Sequence, residues 1–218
     1  MSHGLLQSPQ FMIIKNIDDA DDWTCYHEGA GNSNYLTLNS TAAATDGTMF
    51  NDTTPTSTVF TLGAAPGSDY HNRANRSGYD YIAYLWHDVP GLQKFGSYLA
   101  NGAADGAFVE LGFRPALVWI KSESFTNSYT NWDINDSVRD TYNPADATLA
   151  ANLSDAENSA NIGTQKIDFL SNGFKIRQEP TSSSKNTSGE TYIYCAWAEA
   201  PSVDLYGCLL YTSPSPRD

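Results

Sequence analysis

Cysteine is scarce in this chain, and its few copies follow no pattern. Cys25, Cys195 and Cys208 form an odd set with unrelated spacings. Small domains held together by disulfides carry an even, patterned set, so the cysteine usage argues against a disulfide framework. The usage is typical of a protein that assembles in a reducing cytosol.

Basic residues and long apolar runs are also lacking. The chain has 12 Lys and Arg against 25 Asp and Glu, for a formal net charge of −13. No local basic cluster interrupts this acidic background, so we expect no nucleic-acid partner. No apolar run reaches the roughly 18 residues of a membrane-spanning helix, so we expect no membrane insertion.

Motifs for metal, cofactor or catalytic chemistry are lacking as well. The four histidines lie far apart, and none pairs with a cysteine at metal-ligand spacing: His3, His27, His71 and His87. No zinc-protease motif, dinucleotide-binding loop or nucleophile elbow occurs. We therefore expect no metal, no cofactor and no catalytic residue, although a carboxylate pair for glycoside hydrolysis is not readable from sequence.

The densest carboxylate group is the run from Asp18 to Asp22. Calcium prefers several carboxylate oxygens, so the run could be a calcium loop. Its spacing fits no EF-hand, and the equivalent loop of the repeat described below, residues 123–131, carries one carboxylate. A solvated turn between two strands is the favoured interpretation.

The residues that are abundant indicate strands joined by turns. Aromatic residues make up 12% of the chain, and Asn, Ser, Thr and Gly are frequent where helix formers are few. The predicted strands are short, apolar and bounded by turn residues: Phe11–Asn16, Trp23–His27, Tyr35–Asn39, Thr58–Leu62, Asp80–Asp88, Phe95–Asn101, Phe108–Phe113, Ala116–Ser122, Asn131–Ser137, Lys166–Leu170, Phe174–Arg177 and Thr191–Glu199. Residues 144–157 are predicted as a loop with a short strand or helix.

The chain repeats itself. A proline, an apolar run and a lysine occur at 9–15 and again at 115–121, which are 106 positions apart. Trp23 corresponds to Trp132 at an offset of 109, residues 39–43 correspond to 152–156 at 113, and residues 77–90 correspond to 188–201 at 111. The offset changes only across polar, turn-rich segments, where insertions are tolerated. The sequence therefore predicts one unit written twice.

The repeat predicts an all-β fold of two tandem β-sandwich units, of the jelly-roll or concanavalin-like kind. The first unit is residues 1–91, N-terminally shortened, and the second is residues 92–207. Ser171-Asn172-Gly173 predicts a tight hairpin, because Asn-Gly readily adopts positive φ. The strand at Tyr79–His87 is apolar on both faces, which predicts a central strand covered on both sides.

Several short segments carry a family resemblance that covers Met1 to Gly207. They are Phe95–Tyr98, Ala104–Gly106, Gly112–Lys121, Asn131-Trp132, Asp136–Arg139, Phe169–Phe174, Ser188-Gly189 and Tyr192-Ile193. The pattern resembles an uncharacterised repeat domain of tail-fibre and other virion proteins of tailed phages. The resemblance implies concanavalin-like sandwich modules, a virion adhesin role, assembly in the bacterial host cytoplasm and a homo-oligomeric, trimeric fibre with other tail-fibre domains as partners.

The last eleven residues, 208–218, resemble the translation of a transposase sequencing adapter. The match between the two units also ends at Gly207. We therefore exclude this tail from the fold prediction, as for any fusion scar.

The predicted ligand surface is the loop before the second tryptophan of the repeat. Its aromatic members offer apolar platforms and its amides offer hydrogen bonds, the mixture that a sugar ring needs: Phe125, Asn127, Tyr129, Asn131 and Trp132. A repeated tryptophan is also what a duplicated core produces.

The expected function is a non-enzymatic tail-fibre module that binds a host surface glycan or extends the fibre. Two alternatives stay open: a phage polysaccharide depolymerase and a secreted cellular lectin-like domain. A depolymerase needs two carboxylates in one groove, and the sequence has no repeated pair of this kind.

Overall fold

A computed structural model describes residues 1–63, 72–159, 162, 166–177 and 185–199. The fold is all-β, with about 38% strand and about 5% helix. The adapter-like tail and Cys208 lie outside the described residues. The described part contains no helix that is long and apolar enough to cross a membrane.

Thirteen strands and one short helix make up the regular structure of the described residues. They are β1 (Phe11–Asn16), β2 (Thr24–His27), β3 (Asn34–Thr37), β4 (Thr45–Asp46), α1 (Asn72–Asn75), β5 (Tyr81–Trp86), β6 (Gln93–Leu99), β7 (Phe108–Glu110), β8 (Pro115–Ser122), β9 (Asp133–Asp136), β10 (Thr148–Ala150), β11 (Ile167–Leu170), β12 (Gly173–Ile176) and β13 (Thr191–Ala198). Two 3-10 turns lie at Glu28–Ala30 and Thr48–Phe50. Most predicted strands are present within two residues of their predicted ends.

Three antiparallel sheets form from these strands. The first sheet has the order β4-β3-β2-β1-β5, the second sheet β10-β9-β8-β13-β6, and the third sheet β11-β12-β7. Thr58–Leu62, predicted as a strand, makes only an isolated bridge between Val59 and Ser2. Its apolar residue Phe60 is buried against the outer face of the first sheet instead.

The first two sheets share one hydrophobic core. Phe11, Ile13 and Leu36 of the first sheet pack with Phe95 and Ile193 of the second. The free thiols Cys25 and Cys195 are buried in the same core. The opposite face of the second sheet packs on the third sheet. Each of the first two sheets therefore covers a face of the other.

The first and second sheets repeat the same four-strand pattern. Strands β3-β2-β1-β5 correspond in order to β10-β9-β8-β13. The equivalent cross-strand pairs include Phe11–His27 with Leu117–Asp136, Phe11–Trp86 with Leu117–Trp197, and Cys25–Leu36 with Ile134–Leu149. These pairs are related by the offsets of the sequence repeat, 106, 109, 113 and 111 positions.

The repeat also extends to hydrogen bonds outside the strands. The Trp23 backbone N–H donates to Asn39 Oδ1, and the Trp132 N–H donates to Asn152 Oδ1. The Arg76 backbone N–H donates to the Tyr81 hydroxyl. At the equivalent positions, the Thr187 N–H donates to the Tyr192 hydroxyl. Local geometry is therefore copied together with strand pairing.

The prediction that Tyr79–His87 forms a central strand is wrong. β5 is an edge strand of the first sheet, with Ile82 and Tyr84 about 40% and 43% exposed. Its counterpart β13 is central because β6 pairs with it, and within the described residues no strand takes that place beside β5. Edge or central position depends on a neighbouring strand, which the strand's own sequence does not encode.

The hairpin between β11 and β12 is confirmed, but glycine acts there for a different reason. Leu170 pairs with Gly173 across the turn, and neither Asn172 nor Gly173 has a positive φ. A Cβ at Gly173 would lie 2.0 Å from the backbone oxygen of Val109 in β7. Glycine is needed because the neighbouring strand approaches closely.

Candidate functional site

The predicted glycan loop, residues 123–132, connects β8 to β9, and one of its rings is well exposed. Tyr129 is 44% exposed, and its backbone N–H donates to Asn127 Oδ1 at 2.7 Å. Phe125 is half-buried and packs edge-on against Tyr192, with ring centroids 6.2 Å apart. This loop therefore presents Tyr129 and Asn127 at the surface, while Phe125 mainly supports it from below.

Asn131 and Trp132 are not available to a ligand in this fold, so their assignment to the binding surface is corrected. Each is only 1% exposed. Trp132 lies in the core between the first two sheets, where its Nε1 donates to the Thr37 backbone oxygen at 3.0 Å. Asn131 Oδ1 accepts from Asn152 Nδ2 at 2.8 Å. The repeated tryptophan marks a duplicated core position.

The carboxylates of the Asp18–Asp22 run are held by groups of the chain itself. Asp18 Oδ2 accepts from the Asp80 backbone N–H at 2.6 Å, and Asp22 pairs with Arg73 at 3.0 Å. Asp19 and Asp21 bind Arg76 and Asn16, respectively. Among the described residues, no group of three or more His, Cys, Asp and Glu is placed to hold a metal ion.

A buried polar cluster in the second half of the chain is the most unusual site in the structure. It consists of Asp133 and Asn135 on β9 and Lys185 just before β13, and we call it the Lys–Asp–Asn cluster. The exposed fraction is 0% for Lys185 and 1% for each of the other two. Lys185 Nζ donates to Asn135 Oδ1 at 2.5 Å and lies 4.0 Å from Asp133 Oδ2.

Strand geometry brings the cluster together. Residues two apart on a strand point to the same face, so Asp133 and Asn135 are neighbours there. They pair with Ile120 and Val118 of β8, whose side chains belong to the core beneath the third sheet. The cluster is therefore buried between the second and third sheets.

Further hydrogen bonds fix the Asn135 side chain and the Lys185 backbone. Asn135 Nδ2 donates to the Ala147 backbone oxygen at 3.1 Å and to Thr148 Oγ1 at 2.8 Å. The Tyr98 hydroxyl donates to the Lys185 backbone oxygen at 2.8 Å. The amide of Asn135 is thereby oriented with its oxygen toward the lysine.

Burial changes the acid–base properties of this site. It lowers the pKa of Lys185 from 10.5 to about 8, and the charge of Asp133 opposes that shift. Removing an ammonium group from water costs free energy, so burial increases the fraction of neutral amine. A neutral lysine amine is a nucleophile, whereas the ammonium form is not.

A second buried lysine lies nearby but in a different setting. Lys121 of β8 donates from Nζ to the backbone oxygens of Thr41 and Thr130, at 2.9 and 2.8 Å. Burial lowers its pKa to about 7, opposed by the charge of Asp133. Its contacts are carbonyls of two loops, so it fastens the loop at 123–132 to the first half of the chain.

The first half has no Lys–Asp–Asn cluster at the equivalent place. The offsets of 109 and 111 map Asp133 to Thr24 and Lys185 to Ala74, and they map Asn135 to Tyr26. Tyr26 and Ala74 pack in an apolar cluster there. The four-strand pattern thus forms without these charged groups.

Sequence reasoning missed this cluster, although one signal was present. Asp133 and Asn135 fall on the same face of the predicted strand Asn131–Ser137. Two polar residues on a buried face predict a polar partner from elsewhere in the chain. Nothing local to Lys185 identifies it as that partner.

A surface cleft of about 210 Å³ lies between the ends of the second and third sheets. Its lining includes Asp88, Lys94, Leu111 and Phe113. Asp88 Oδ1 accepts from the Phe95 N–H at 2.9 Å, and burial raises the pKa of its carboxyl. Among the described residues that line this cleft, Asp88 is the one carboxylate.

The comparisons with known proteins identify a family but not an activity. Residues 1–201 match the family described as Domain of unknown function (DUF7483). No curated protein and no solved structure matches the chain. Because the match spans most of the sequence, the chain belongs to the DUF7483 family.

Proposed function

We propose that this chain is a non-enzymatic structural and adhesive module of a phage tail fibre. In this proposal it lies in the virion tail after assembly in the host cytoplasm, and copies of the chain form a trimeric fibre. The units 1–91 and 92–207 are two successive repeats of one sandwich design, and their matched pairing registers support this division. The assignment to a tail fibre rests on the family resemblance of the sequence.

The observation that carries the structural role is the difference between β5 and β13. β13 pairs with β6 along its whole length, whereas β5 ends the first sheet with apolar side chains exposed. An open, apolar strand edge is a template for another strand. A strand equivalent to β6 fits this edge, because β5 and β13 occupy the same place in the repeated pattern.

A grafted strand tests this role. Residues 1–8 are replaced by a copy of residues 92–114, which ends at the position equivalent to residue 8 by the offset of 106. The copied β6 should pair with β5, so hydrogen exchange at the β5 amides should slow by tenfold or more. A matched graft with the copied Ser97 changed to Pro removes one N–H from the new strand and should give less protection.

If both grafts leave the β5 amides unprotected, the edge does not accept a strand equivalent to β6. Virion association is tested separately by mass spectrometry of purified particles that encode this chain. Peptides from residues 1–199 should be recovered with the tail proteins. Their absence from intact particles would overturn the tail-fibre proposal.

The adhesive part of the proposal rests on the loop at 123–132. A single exposed ring contributes about 0.5–1.5 kcal/mol beyond its buried area, so one module should bind a glycan weakly. Several copies on one fibre would gain about 10²–10⁴ in avidity. A glycan array is run with multimerised wild type, Tyr129→Ala and Val138→Ala. The wild type should give a signal and Tyr129→Ala should give none. Val138→Ala is an exposed apolar control outside the loop and should keep the wild-type signal. Equal signal from all three leaves the loop without a binding role.

The cleft at Asp88 supports the non-enzymatic proposal. Glycoside hydrolysis generally uses two carboxyl groups, separated by roughly 5–10 Å. The described residues lining the cleft supply one. Incubation with host polysaccharide should therefore leave the polymer's molecular mass unchanged, and a fall in mass that depends on Asp88 would favour the depolymerase.

A further inference from the structure

We propose that Lys185 and Asn135 become joined by an isopeptide bond inside the folded chain, with Asp133 transferring the proton. The bond would connect β9 to the segment before β13, across 50 positions of sequence. This inference is independent of the tail-fibre proposal, since it rests only on the Lys–Asp–Asn cluster.

The reacting atoms are already close. Lys185 Nζ lies 2.5 Å from Asn135 Oδ1. A carbonyl bond is about 1.2 Å long, so Nζ is at most about 3.7 Å from the Asn135 Cγ carbon. Near-attack arrangements place reacting atoms roughly 3–3.5 Å apart, so a small side-chain adjustment suffices. The two hydrogen bonds from Asn135 Nδ2 hold the amide in place during that approach.

The amine can reach its reactive form within the site. Burial already lowers the pKa of Lys185 to about 8. Among the described residues, Asp133 Oδ2, at 4.0 Å, is the carboxylate placed to accept the proton of the ammonium group. Removing charge from both partners relieves the cost of burying an ion pair.

The reaction balances without an added reagent. The neutral Nζ attacks Cγ of Asn135, and protonated Asp133 donates to the carbonyl oxygen as negative charge develops there. The C–N bond to Nδ2 then breaks, Nδ2 leaves as ammonia after taking a proton from Nζ, and the carbonyl reforms as its proton returns to Asp133. One C–N bond forms, one breaks, and no electron is gained or lost overall.

A purely structural role explains the site less well. A buried ion pair often contributes little to stability, because the desolvation cost offsets the attraction. The equivalent positions in the first half carry Thr24, Tyr26 and Ala74, and the same strand pattern forms there. The fold therefore does not require a lysine, an aspartate and an asparagine at this place. The reaction requires all three.

Intact mass of the denatured full chain tests the proposal directly. Loss of one ammonia should make the protein about 17 Da lighter than its sequence mass. After proteolysis, the segments that contain Asn135 and Lys185 should be recovered as one branched peptide. A chain at its full sequence mass, with Lys185 open to acetylation after unfolding, overturns the proposal.

Variants separate this bond from other losses of similar mass. Lys185→Arg, Asn135→Ala and Asp133→Ala should all restore the sequence mass. Lys121→Arg is the matched control, because Lys121 is equally buried but contacts backbone carbonyls, and it should keep the loss. Cyclisation of Asn172-Gly173 would also release ammonia; if Lys185→Arg keeps the loss, the proposal is wrong.

The identity of the acyl partner is decided by the same spectra. A bond between Lys185 and Asp133 would release water, for a loss of about 18 Da, and its branched peptide would carry an unmodified Asn135. That result would overturn the assignment to Asn135. Because the wild-type spectra decide between these outcomes, the test stands even where a variant fails to fold.

Discussion

The first and second sheets are two versions of one design placed in different surroundings. Both contain the same four-strand order with the same pairing registers. In the second sheet, β13 has neighbours on both edges and cores on both faces, and Ile193 is 1% exposed. In the first sheet the equivalent Ile82 is 40% exposed. Strand pairing is thus copied, but burial is not.

The position of a residue in the stack of three sheets determines the role of each copy of a repeated residue. Trp23 and Trp132 occupy equivalent places and receive the same backbone cap. Trp23 is 37% exposed, whereas Trp132 fills the core between the sheets. The second sheet lies in the middle of the stack, so its residues lose water on both faces. The buried lysines and the Lys–Asp–Asn cluster occur in the same half of the chain.

The largest expected difference is between the two tryptophans. Trp132→Ala should destabilise the fold by about 3–5 kcal/mol, since it empties a buried site and leaves the Thr37 oxygen without its donor. Trp23→Ala should cost less than about 1 kcal/mol, because much of its ring stays in water. Urea unfolding of both variants measures this. Equal costs would show that the two sheets do not share one core.

The next effect is a pH dependence at the position of His27, which the second sheet does not copy. His27 is fully buried, its Nδ1 accepts from the Gly29 N–H, and its Nε2 lies 3.0 Å from the Tyr194 oxygen. This arrangement fits the neutral ring with its proton on Nε2. Burial lowers the pKa of His27 from 6.5 to about 4. At the equivalent place in the second sheet stands Asp136, which pairs with Arg139 instead.

The direction of this pH dependence follows from the state that binds the proton at the higher pH. The unfolded chain protonates His27 near pH 6.5, while the folded chain does so only near pH 4. The free energy of unfolding therefore falls as the pH drops through this window, by about 3 kcal/mol in total. His27→Gln should remove this part of the pH slope, and His3→Gln, at a half-buried site, should keep it. An unchanged slope in His27→Gln would refute the assignment.

The smallest expected difference concerns the paired asparagine caps. Asn152→Ala should cost about 1–2 kcal/mol, because the backbone N–H of buried Trp132 loses its acceptor. Asn39→Ala should cost about 0.5 kcal/mol, since water can replace the bond at that exposed site. Thermal unfolding of the two variants compares them. A larger cost at Asn39 would reverse the proposed order of burial.

The strand positions, the hairpin between β11 and β12 and the repeat follow from the sequence alone. The all-β class, most strand positions and the repeat offsets follow from apolar runs, turn residues and self-similarity. These are local properties, so both copies express them alike. The offsets even match the cross-strand registers, because register follows the alternation of side chains along each strand.

Which sheet faces meet, and which residues they bury, depends on the tertiary structure. The exposed edge at β5, the interior position of Trp132 and the meeting of Lys185 with Asn135 all depend on residues far apart in sequence. Sequence assigned Trp132 to a surface because it follows a polar loop. Stacking the first sheet on the second excluded water from that place and from Lys121, and Lys185 is buried beneath the third sheet. Burial at these two places lowers the pKa of both lysines.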